Sequence, residues 1–136
     1  MSEQNKELVR QAYERFKSAD IGGLLNLLTE DVEWRLPDTE NVPFAGKRSG
    51  LRQVAQFFHT LAESQEVLQF EPQEFIAEGE KVVALGQYMW RAKKSGREYG
   101  GDWAHVFTIR DGKIAGFHEF MDTAAAAAAY QKAAGT

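Results

Sequence analysis

The stretch "GDWAHVFTIRDGKIAGFHEFMD", residues 101–122, holds two side chains suited to proton chemistry, His105 and Glu119, among Trp103, Phe107, Phe117 and Phe120. A carboxyl group in an apolar cup can serve as acid or base, and a neighbouring imidazole can orient it or donate to a carbonyl oxygen. That pair suits proton abstraction next to a carbonyl. The plainer reading is a half-buried hairpin, with His105 a satisfied wall residue and Glu119 at a solvated rim.

Whether the two groups meet depends on register. Alternation puts Trp103, His105, Phe107 and Ile109 on one face of a strand. If the "RDG" turn contains a glycine bulge, Ile109 faces Lys113, and Ala115, Phe117, Glu119 and Met121 share the His105 face. If it is a two-residue turn, the register slips and Gly116, His118 and Phe120 share that face. The residues alone leave both open.

The elements that must position this hairpin follow from periodicity. Leu8, Val9, Ala12, Tyr13 and Phe16 form one helical stripe, which predicts a helix from about Ser2 to Ala19. Asp20 can cap a short second helix that buries Leu24, Leu25, Leu27 and Leu28. Val32, Trp34 and Leu36 alternate with charged residues as a strand, which Pro37 ends, and "PDTENVPFAGKRSG" reads as a loop. Ser49 then caps a helix with Leu51, Val54, Phe57, Phe58 and Leu61 on one side. Four strands follow, over Val67 to Glu78, Val82 to Lys93, Glu98 to Ile109 and Ile114 to Met121. Pro72 marks an edge or bend in the first of them. Gly86, Gly100, Gly101 and Gly116 are candidates for bulges or bends. A short alanine-rich helix begins at Asp122 or Thr123, with Asp122 as its cap. Helices followed by a strand meander define an α+β architecture, expected as one domain over residues 1–136.

Composition narrows the function classes. With 43% hydrophobic and 26% charged residues the chain is globular rather than disordered, and nine Phe, four Tyr and three Trp suggest an aromatic core, a lined cavity, or both. A net charge of −4 gives no basic face for nucleic acid. The knot of Arg91, Lys93, Lys94 and Arg97 reads as a solvated hairpin tip. Zero cysteines exclude disulfides, thiolate nucleophiles and thiolate-bound zinc. His59, His105 and His118 lack ligand spacing, so no metal is expected. The amino terminus "MSEQNKELVR" has no apolar segment of a secretory leader, and no apolar run approaches the roughly 20 residues of a membrane span. A cytoplasmic location without membrane attachment is the expectation.

The element order, the segment "LLNLLTEDVEW" and the hairpin "WAHVFTIRDGKIAGFHEFMD" resemble the nuclear transport factor 2-like superfamily, within it the SnoaL-like and ketosteroid isomerase-like proteins. The resemblance implies a cone-shaped fold: a strongly curved, mostly antiparallel sheet packed on three N-terminal helices, with a short C-terminal helix and a deep pocket. It implies a pocket lined by Tyr13, Phe16, Trp34, Leu36, Phe57, Phe58, Trp90, Trp103, Phe107 and Phe117. Glu119 matches the position of the acid/base aspartate in SnoaL-like cyclases, which favours the first register. His105 matches the position where ketosteroid isomerases carry a protonated aspartate. Departures are equally clear. Leu36 precedes Pro37 where those isomerases place their general-base aspartate, and their helix-one tyrosine aligns with Ala12, one position from Tyr13. A looser match sets Arg91, Asp102 and Glu119 as an Asp, Arg, Asp relay like that of limonene epoxide hydrolases.

The expectation is therefore an isomerase- or cyclase-type enzyme, or enzyme-like protein, that uses Glu119 and His105 on a small hydrophobic carbonyl-bearing molecule, with no cofactor. A noncatalytic binding module and a protein-interaction dimer are the alternatives, and a homodimer through the outer sheet face is implied.

Overall fold

The computed structural model describes residues 2–131. Helix α1 (Ser2–Lys17) and the single-turn α2 (Ile21–Leu25) precede β1 (Leu28–Arg35). Asp20 caps α2 by accepting a hydrogen bond from the Gly23 amide at 2.9 Å. The segment expected to be wholly loop contains a short strand, β2 (Lys47–Ser49), antiparallel to β1. Helix α3 (Gly50–Ser64) follows, then β3 (Gln65–Glu78), β4 (Lys81–Ala92), β5 (Glu98–Arg110), β6 (Lys113–Phe120) and α4 (Thr123–Tyr130). Ser49 precedes α3 as expected but does not cap it through its side chain. Its hydroxyl donates instead to Glu33 at 2.8 Å, tying the start of the helix to β1.

The six strands form one sheet in the order β2-β1-β6-β5-β4-β3. All neighbours are antiparallel except β1 and β6, which run parallel. Because β1 pairs with the last strand, the helices that flank it in sequence lie over the concave face. Val9, Val32, Val54, Val82, Phe107 and Ile114 are almost wholly buried between the layers. No described helix is long and apolar enough to cross a membrane.

Curvature comes from bulges on β3 and β6. On β3 the register shifts at Leu68 and again at Gln73, beside Pro72, which confirms Pro72 on an edge strand at a bend. Gly86 lies opposite Pro72, and a Cβ there would collide with the Glu71 carbonyl and the Trp103 indole. Gly116 adjoins the β6 bulge, whereas Gly100 and Gly101 sit in an unbroken β4–β5 ladder.

The hairpin register combines the two alternatives. Arg110 faces Lys113 across a two-residue turn whose Asp111 and Gly112 both have positive φ, 51° and 77°. That turn alone would put His118 on the His105 face. One extra residue, Ala115, is then accommodated between the Ile109–Ile114 and Thr108–Gly116 pairs, and the register is reset so that His105 faces Glu119.

The presumed solvated hairpin tip is partly structural. The Arg97 guanidinium donates to the Ala128 and Gln131 carbonyls at 2.8 and 3.0 Å, satisfying the C-terminal end of α4. Asp122 caps the other end, accepting from the Ala125 amide at 3.0 Å. The helix packs against β5 and β4.

Candidate functional site

The site is a chain of hydrogen bonds that crosses the core from helix to sheet. Tyr13, on the buried stripe of α1, places its hydroxyl 2.8 Å from His105 Nδ1, and His105 Nε2 lies 2.8 Å from Glu119 Oε2. Alternation along β5 turns His105 inward, and the β5–β6 register sets Glu119 directly opposite it on the same face. A carboxylate oxygen only accepts, so the single proton of a neutral His105 ring belongs on Nε2, and Nδ1 is left to accept from the Tyr13 hydroxyl. Nε2 then carries the ring proton and donates it to the carboxylate.

Both imidazole nitrogens are therefore engaged. His105 orients Glu119 and has no donor left for a ligand, which narrows the two roles open to it from sequence. Burial, with the Glu119 charge added, pushes the Tyr13 phenol well above its ordinary value and keeps it a donor. His105 is 4% exposed and lies between aromatic rings, its own ring stacked 4.0 Å from Trp103 and edge-on to Phe117 at 4.6 Å. The second carboxylate oxygen of Glu119, Oε1, makes no hydrogen bond to any described residue.

Two cavities meet at Glu119. The larger, about 60 Å³, is bounded by α1, α3 and the concave sheet, and reaches Tyr13, His105 and Glu119. Of the wall residues expected from the sequence, Tyr13, Phe16, Trp34, Leu36, Phe57, Phe58, Trp90, Phe107 and Phe117 all line it. Trp103 instead lines the smaller one, about 20 Å³, below α4 and the loop after β1, with Tyr88, Tyr99 and Phe44. Leu36, Phe70, Trp90 and Glu119 border both. A water needs on the order of 10–15 Å³ measured this way, so the larger cavity has room for a few waters and the smaller for about one.

Parallel pairing of β1 with β6 puts Trp34 opposite Phe117, and their rings stack at 4.1 Å to form the floor. The contribution of Phe70 was not legible in the sequence, because bulges on either side of it break the alternation of β3. Tyr13 stood out only as a wall residue. Its place on the helical stripe was readable, but its distance to a histidine 92 positions away was not.

Other candidates lie elsewhere. Asp102 is exposed and accepts a hydrogen bond from Gln87, while Arg91 pairs with Glu66 and Glu98 at the surface. Neither lines either cavity, so the Arg91, Asp102, Glu119 relay is not formed. His118 faces outward, bonded to Arg35, and burial with that guanidinium lowers its pKa. His59 pairs with Glu63 on the exposed side of α3. Among the described residues no group of three or more His, Asp or Glu side chains is arranged to hold a metal ion.

A sheet curled into a cone over helices, with an inward acid–imidazole pair, defines the class of protein: the nuclear transport factor 2-like fold. Within it, the chain belongs to the family of SnoaL-like domains, which matches residues 9–117. A similar structure is a nuclear transport factor 2-like protein from Burkholderia xenovorans, 31% identical over 96% of this chain and 98% of that one, with a TM-score of 0.88. Another, from Burkholderia pseudomallei and of unknown function, is 30% identical over 97% of this chain and 100% of its own, with a TM-score of 0.86. A third, TerC crystallised with polyporic acid, is 27% identical over 95% of this chain and 99% of its own, with a TM-score of 0.83. No curated protein matches the chain in sequence.

Proposed function

We propose that this protein is a cofactor-independent enzyme of the isomerase or cyclase type, which moves a proton at a carbon next to a carbonyl group of a small hydrophobic molecule. The observation that carries this reading is the Tyr13–His105–Glu119 chain, ending in a carboxylate oxygen without a partner among the described residues, at the wall of an apolar cavity. Glu119 Oε1 accepts the proton from carbon. His105 holds the carboxylate in place through Oε2, and Tyr13 holds the imidazole. The similar structure of TerC, crystallised with polyporic acid, supports a small-molecule role for the pocket.

The test is exchange of the α-protons of 2-tetralone in deuterated buffer, followed by NMR, for the protein and its Glu119→Gln variant. A positioned base contributes roughly 10²–10⁴-fold. Loss of that factor in the variant, with tetralone binding retained, is the expected result. Equal exchange rates would remove Glu119 as the base and leave a binding module of the same shape.

A homodimer through the outer sheet face fits the same reading. That face presents Val83, Leu85 and Met89 of β4, Ala104 and Val106 of β5, and Phe120, which is 48% exposed. Such an apolar centre is characteristic of surfaces that pair with a partner.

A further inference from the structure

At rest the two cavities are smaller than a ring-bearing molecule. They hold a few waters between them, whereas a cavity that takes one benzene ring measures about 150 Å³. Such a ligand reaches Glu119 only after part of the wall moves, and the element that moves at least cost is the one with the least buried beneath it. Helix α1 is fixed by Val9, Ala12 and Tyr13, and α3 by Val54, Phe57, Phe58 and Leu61. Helix α4 fully buries only Ala126 and Ala129, with Ala125 and Tyr130 partly covered. An alanine side chain is one methyl group, so lifting this helix exposes little apolar surface.

The polar bonds that hold α4 are gathered at its far end. The Ser95 hydroxyl donates to the Ala129 carbonyl at 2.7 Å, the Tyr99 hydroxyl donates to the Tyr130 hydroxyl at 3.0 Å, and Arg97 binds the Ala128 and Gln131 carbonyls. Tyr130 also rests edge-on against Phe44. The near end joins β6 through Met121 and Asp122, which belong to no helix or strand, and Glu119 stands just before them. Met121 and Ala126 line the smaller cavity, which Glu119 also borders, so a raised α4 uncovers the carboxylate. A helix of eight residues does not hold its form alone in water, and the raised segment frays.

We propose that α4 is a lid, hinged at Met121–Asp122 and latched by Ser95, Arg97 and Tyr99, whose opening admits the ligand to Glu119. The proposal rests on the reading of the cavities as a small-molecule site. It gives Arg97, which lines neither cavity, control over the rate of binding. Closure then shields the ligand from bulk water while the proton moves.

The test has two parts. Amide hydrogen exchange, followed by NMR, reports opening without any ligand. In the unaltered protein the amides of residues 126–130 should exchange at least about 100-fold faster than those of Trp103 to Phe107 on β5, with a weaker dependence on urea, as local opening requires. Binding of 2-tetralone, followed by stopped-flow tryptophan fluorescence, then reports passage. Tyr130→Phe removes one latch bond and keeps the ring, and Arg97→Met removes two and keeps the apolar stem. A hydrogen bond is worth about tenfold, so Tyr130→Phe should raise the association and dissociation rates alike by about tenfold, and Arg97→Met by more. Equilibrium affinity should change by less than about threefold, because closed free and closed bound protein lose the same bond. Exchange of α4 in step with β5, at the same urea dependence, means that the helix leaves only on global unfolding and overturns the proposal. Association rates unchanged in both variants place the entrance elsewhere and overturn it as well, while the pocket reading stands. Failure of tetralone to bind any of the three proteins overturns the pocket reading and the gating role with it.

Discussion

Replacing Tyr13 with Phe isolates the hydrogen bond on which the order of the site depends. The ring contacts survive, since Phe70, Trp103 and Phe107 pack on the tyrosine ring at centroid distances of 5.6, 5.7 and 5.7 Å. What is lost is the 2.8 Å bond to Nδ1. The imidazole nitrogen left behind sits in a residue only 4% exposed, out of reach of bulk water. An orphaned buried acceptor costs about 1–3 kcal/mol. For a chain of this size that corresponds to a fall in Tm of about 3–10 °C, measurable by calorimetry. Glu119 keeps its donor, so the base survives with looser orientation. Tetralone exchange should fall about tenfold, well short of the roughly 10²–10⁴-fold expected for Glu119→Gln. A Tyr13→Phe protein with unchanged or raised Tm and unchanged exchange would show that the bond does not exist in solution and refute the ordering argument.

Alkaline pH is a second probe. Burial raises the phenols of Tyr13, Tyr88 and Tyr99 above the ordinary value of 10.0, and Tyr130 to about 12. The unfolded chain then releases these protons first, so stability is intact below pH 10 and falls as pH rises through the folded values. Three buried tyrosines remove roughly 4 kcal/mol per pH unit, and the half-exposed Tyr130 adds less. Against a typical total of about 5–15 kcal/mol, cooperative unfolding with simultaneous tyrosinate absorbance is expected within about one to four units above pH 10, whereas gradual ionisation of the folded protein from pH 10 would contradict the burial. Gly86→Ala forces a methyl group into the Trp103 indole and the Glu71 carbonyl, and should destabilise by about 1–3 kcal/mol in a urea titration; a neutral result would mean that the indole lies elsewhere. Val106→Asp on the outer face should convert a dimer to a folded monomer by light scattering, and persistence of the dimer would place the interface on another surface.

Much of this arrangement was readable from residue order. The α1 stripe through Val9, Ala12 and Tyr13, the Asp20 and Asp122 caps and the alternation of Trp103, His105, Phe107 and Ile109 on β5 each depend on local chemistry, and each appears in the fold. Local chemistry could not decide the hairpin register. The "RDGK" turn is the two-residue type, which by itself points Glu119 outward, and only the bulge at Ala115 reverses that. A bulge at an alanine next to a glycine leaves no clear signature in composition. β2 was missed because three polar residues, Lys47–Ser49, have no apolar periodicity to show. The Tyr13–His105 contact joins elements 92 positions apart and depends on how far the sheet curls, a property of bulges and packing together.

The most direct measurement on the hydrogen-bond chain is the ring tautomer of His105, read from a long-range proton–nitrogen NMR spectrum near pH 8. The expected result is a proton on Nε2, with Nδ1 a bare acceptor whose resonance moves in Tyr13→Phe. A proton on Nδ1, or a nitrogen spectrum unaffected by removal of the Tyr13 hydroxyl, would contradict the placement of Glu119 as an oriented base.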